Sequence, residues 1–65
     1  MKSVQRLFAD ATAAIEDLHG IAVEGQRPDL SADAGEQLAG ALHEGIVRLD
    51  RLVISLLRVL GGKSA

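Results

Sequence analysis

The chain has 65 residues, 48% of them hydrophobic and 25% charged, with a formal net charge of −2 and no cysteine. That balance excludes a disordered polar chain and a collagen-like one, leaves no disulfide to staple a core, and makes an acidic surface poorly suited to neutralising phosphates. Phe8 is the only aromatic residue, so stacking on nucleic-acid bases has almost nothing to work with.

A chain of this length amounts to one domain, residues 1–65, and rarely stabilises itself without a disulfide, a metal or a partner. The opening Met1-Lys2-Ser3-Val4 carries one basic residue and meets Asp10 before any continuous apolar run, which is not a signal-peptide pattern. The most apolar stretch, residues 46–60, is interrupted by Arg48, Asp50, Arg51 and Arg58 and is too short to span a membrane. Absence of cysteine fits a reducing cytoplasm, and richness in Ala, Gly, Leu and Arg is bacterial in style.

The first predicted element is a helix over about residues 3–25. With Val4 at heptad position a, apolar or small residues fill every a (Val4, Ala11, Leu18), every d (Leu7, Ala14, Ile21) and every e (Phe8, Ile15, Ala22). This is the broad stripe of a core-facing bundle helix, and the g positions Asp10, Asp17 and Glu24 form an acidic row on its flank. Gly25 suits the C′ position and Pro28 pushes Arg27 out of helical geometry, so the helix ends near Glu24 and a turn follows over about 26–30. An earlier end at Gly20 is the rival, disfavoured because the heptad continues through Ile21 and Ala22.

The second predicted helix covers about 31–60, with Asp29 or Ser31 as N-cap and Asp33 and Glu36 at the positive end of its dipole. Leu38, Leu42, Gly45, Leu49, Leu52, Leu56 and Val59 keep a 4-3 spacing, accompanied at e by Ala39, Ile46, Val53 and Leu60. Gly61-Gly62 is the expected stop. A turn centred near Pro28 gives antiparallel partners whose numbers sum to about 56. Leu18 then faces Leu38, Ala14 faces Leu42, Ala11 faces Gly45, Leu7 faces Leu49 and Val4 faces Leu52. Under that register Leu56, Leu57, Val59 and Leu60 project beyond the first helix with no intrachain cover. Val47 and Ile54 lie outside the seam, and Asp50 sits among apolar neighbours as a candidate register-setting acid. These seven residues, Val47, Asp50, Ile54, Leu56, Leu57, Val59 and Leu60, form the expected partner interface.

Chemistry-bearing motifs are weak. Gly61-Gly62-Lys63-Ser64 has the end of a phosphate-binding loop, but Leu57 stands where its first glycine belongs and no strand precedes it. His43-Glu44 resembles the phosphoaccepting histidine of signalling four-helix bundles, without the proline that follows such a site in sensor kinases. Glu16 and His19 have E-x-x-H spacing, yet a di-iron bundle needs a second such motif. Arg48, Arg51 and Arg58 form a row that is a possible anion contact, with Glu44 or the acidic row of the first helix as competing partners.

The expectation is therefore an all-α protein, an antiparallel two-helix hairpin dimerising into a four-helix bundle. It has no catalytic or metal site, no cofactor and no small-molecule substrate. Its function is read as non-enzymatic protein–protein interaction or assembly, with a second copy or another helical protein as partner. The alternatives are a nucleic-acid-binding hairpin dimer using the arginine row, and phosphotransfer through His43.

Overall fold

The computed structural model describes residues 2–62 and contains two helices, α1 (Val4–Glu24) and α2 (Ala32–Gly62), packed as an antiparallel hairpin. No strand occurs among the described residues. Each helix starts on a serine. The Ser3 hydroxyl accepts from the Arg6 amide at 3.1 Å, and the Ser31 hydroxyl accepts from the Ala34 amide at 3.1 Å, so each satisfies one of the amides that an initiating helix leaves without a partner. Ser31, rather than Asp29, is thus the cap of α2.

α1 ends by tightening. The Gly25 amide donates to Ile21 O at 3.1 Å, and then the Gln26 and Arg27 amides reach back three residues, to Val23 O at 3.0 Å and Glu24 O at 3.3 Å. Pro28, with no N–H, cannot prolong the series. Gly25 keeps right-handed geometry (φ −67°, ψ −10°), so the left-handed C′ glycine expected from sequence is not what closes the helix. Arg27 instead fixes the turn, its guanidinium donating to Glu24 at 3.1 Å and to both oxygens of Asp29 at 3.2 Å. At the other end, α2 carries through Gly61 and Gly62, the glycine pair expected to stop it. A glycine costs a helix only about 1 kcal/mol relative to alanine and does not forbid helical geometry.

The register differs from expectation by two turns. Leu18 meets Gly45 and Ile21 lies beside Leu42, pairs whose numbers each add to 63. The cause is the connection between the helices. Residues 25–31 run on past the end of α1 instead of reversing tightly, and the first two turns of α2 overhang it by about 10 Å at 1.5 Å per residue. Leu30 folds back over Gly35, where a Cβ would meet Leu30 Cδ2 at 3.3 Å, and so lends the overhang apolar cover.

With this register Val4 is level with Val59, and α1 covers α2 from about residue 39 to residue 59. The buried core is Leu7, Ala11, Ala14 and Leu56, flanked by half-buried Leu18, Ile21, Leu42, Leu49 and Leu52. The molecule is a rod of 52 × 15 × 15 Å exposing 4,977 Å². A compact monomer of this mass exposes roughly 4,000 Å², so the hairpin leaves on the order of 1,000 Å² more in water. Among the described residues, no helix is long and apolar enough to cross a membrane.

Candidate interaction surface

Because residues on a helix advance about 100° each, the inward line of each helix is flanked by two sides. On α1 the inward line is Leu7, Ala11 and Ala14; Asp10 and Asp17 lie to one side of it, Phe8 and Ile15 to the other. On α2 the inward line includes Gly45, Leu52 and Leu56; Arg48 and Ser55 lie to one side, Ile46, Val53, Leu57 and Leu60 to the other. An ion pair decides how these sides combine. Arg48 Nη1 lies 3.6 Å from Asp17 Oδ2, which puts the acidic side of α1 and the Arg48 side of α2 on one face of the hairpin. The two apolar sides consequently share the opposite face.

That apolar face is open to solvent along most of the rod. Phe8 (55%), Ile15 (53%), Ile46 (52%) and Leu57 (63%) are more than half exposed, and Val53 and Leu60 are also exposed. Its small members are Ala22 and Ala39, near the connecting turn.

The opposite face is polar. Lys2 Nζ donates to Asp10 at 2.7 Å and Arg6 Nε lies 3.2 Å from the same carboxylate. The hydrogen bond from Lys2, reinforced by the charges of Lys2 and Arg6, holds the Asp10 carboxyl below the usual carboxylate range. Near the chain ends Lys2, Leu7, Ser55, Arg58 and Val59 line an open hollow of about 310 Å³.

The seven residues expected from sequence to form one interface do not lie together. Leu56 is 6% exposed and belongs to the hairpin core, so the expectation that it lacks intrachain cover is corrected. Val59 is half-buried and borders the hollow near the chain ends together with Leu7 and Lys2. Val47, Asp50 and Ile54 occupy the outer side of α2, turned away from α1, and only Leu57 and Leu60 lie on the apolar face. The two-turn difference in register accounts for Leu56 and Val59, which it brings beneath α1; the sides on which Val47, Asp50, Ile54, Leu57 and Leu60 lie are set by their spacing along α2 and do not depend on register. Phe8, Ile15, Ile46 and Val53 are e positions of the heptad, which the sequence pattern alone does not separate from the hairpin's own seam. Two helices alone bury the a and d positions between them; the e positions need a further layer.

The arginine row also divides. Arg48 is engaged by Asp17, Arg58 borders the hollow near the chain ends, and Arg51 makes no ion pair among the described residues. His19 and His43 are both exposed. Among the described residues, no three His, Asp or Glu side chains cluster in a way that would hold a metal ion. Searches against protein-family models, curated proteins and solved structures find no match to this chain.

Proposed function

We propose that the chain is a non-enzymatic protein–protein interaction module that assembles as a homodimer, two hairpins joining apolar face to apolar face in a four-helix bundle. The observation that carries this reading is the exposed line of Phe8 and Ile15 on α1 beside Ile46, Val53, Leu57 and Leu60 on α2. An apolar surface continuous over two helices is the kind that marks an interaction site rather than scattered surface hydrophobes. The roughly 1,000 Å² of excess exposure compares with the ~800 Å² that each partner contributes to a standard interface. The polar face, with Asp10, Asp17, Lys2, Arg6 and Arg48 paired among themselves, is suited to remain in water. Lack of cysteine suits a cytoplasmic setting.

Sedimentation tests this reading. The wild type should run as a dimer, Ile46→Glu should shift it to monomer, and Ala13→Glu on the polar side should leave it unchanged. A monomeric, stable and helical wild type, or a dimer indifferent to Ile46→Glu, overturns it.

A further inference from the structure

Resting on that reading, we infer that the second copy docks with its turn at the opposite end of the bundle, α1 lying antiparallel on α1 and α2 antiparallel on α2 of the partner subunit. The inference comes from a taper in the apolar face. On α1 the side chains shrink toward the turn, from Phe8 through Ile15 to Ala22. On α2 they grow away from it, from Ala39 through Ile46 and Val53 to Leu60. The face is therefore bulky near the chain termini and shallow near the turn, and close packing requires bulk on one side to meet a hollow on the other.

A two-fold axis across the middle of the rod meets this requirement at both ends and sets side chains of similar size against each other at the centre. It places Phe8 over the partner's Ala22, and Ile15 over the partner's Ile15. On the second helix it places Leu60 over the partner's Ala39, and Ile46 over the partner's Val53. The two rows agree on where the axis falls. The α1 row is centred on Ile15, which in the observed register is level with residue 48; the α2 row is centred between residues 49 and 50. The mismatch is about 2 Å at 1.5 Å per residue. With both turns at the same end, α1 would lie on the partner's α2 at equal height. Phe8 would then collide with the partner's Val53 and Leu57, while Ala22 over the partner's Ala39 would leave a void.

Because the chain has no cysteine, one can be placed at will. A spin label on Gln26→Cys, in the exposed turn, reports the separation of the two turns by electron dipolar spectroscopy. Turns at opposite ends give a distance on the order of 35 Å or more at 1.5 Å rise per residue. A distance under about 20 Å, the span of two adjacent helix pairs, overturns the orientation while leaving the dimer intact. A label with no intermolecular signal, together with a monomeric sedimentation profile, overturns both this inference and the homodimer reading. A second label at Gln5→Cys, near the other end, should likewise read a long distance, and a short one there counts equally against the inference.

Discussion

Leu18 lies so close against Gly45 that a Cβ on residue 45 would stand 2.5 Å from Leu18 Cδ2 and 3.2 Å from Cγ. The glycine is the notch that receives a leucine from the facing helix, and it locks the two helices in the register on which the rest of the surface depends. A Cβ at Gly40, by contrast, would meet nothing within 4 Å.

These two glycines give a matched test of the register. Gly40→Ala should raise stability by about 0.5–1 kcal/mol, since alanine is the better helix former. Gly45→Ala has the same propensity gain but must displace the side chain of half-buried Leu18, which offsets part or all of that gain. Urea unfolding at fixed protein concentration should therefore rank Gly45→Ala below Gly40→Ala. Equal gains at both positions would mean that Leu18 does not occupy the notch.

Adjacent leucines on α2 should behave differently. Leu56 is buried between the helices, and Leu56→Ala should destabilise the fold by about 2–4 kcal/mol. Leu57 is on the open face. Leu57→Ser should leave the helical circular dichroism of the hairpin intact at high protein concentration while weakening self-association in sedimentation. If the two variants lost stability equally, with no difference in association, the division between core and apolar face would be wrong.

Ser31→Ala removes the side-chain acceptor for the Ala34 amide and should cost about 1 kcal/mol, within the range for lost N-caps. Asp29→Ala should cost less, because Asp29 pairs with Arg27 in the exposed turn and does not cap α2. Thermal unfolding of the two variants side by side checks the order.

Asp10 predicts an acid limb. Its carboxyl is held below the usual carboxylate range by Lys2 and Arg6, so the folded state binds that proton less readily than the unfolded chain does. The associated stability is fully present above the usual carboxylate range and is lost as pH falls through the lowered value. Asp10→Asn should flatten the acid side of a stability-against-pH profile relative to wild type, and an unaltered slope would show that the Lys2 contact is not maintained in solution. The pair is solvent-exposed, so the effect should shrink with added salt.

Local chemistry in the sequence determined both helices nearly to the residue. The heptad of apolar positions, the serine caps and Pro28 each act within a few residues of where they stand, and together they specify two amphipathic segments and the turn between them. The pairing of Arg48 with the acidic row was one of two that the sequence offered, beside Glu44; the g positions of antiparallel helices share a face, and the structure places Arg48 by Asp17. Register was not legible. A 4-3 repeat offers the same apolar pattern every seven residues, so a slide of two turns keeps every a and d position facing inward. Only the three-dimensional path of residues 25–31, with Leu30 on Gly35 and Leu18 in the notch of Gly45, selects one alignment. That alignment moves Leu56 into the core and leaves Phe8, Ile15, Ile46, Val53, Leu57 and Leu60 exposed along the side of the rod, not at its end.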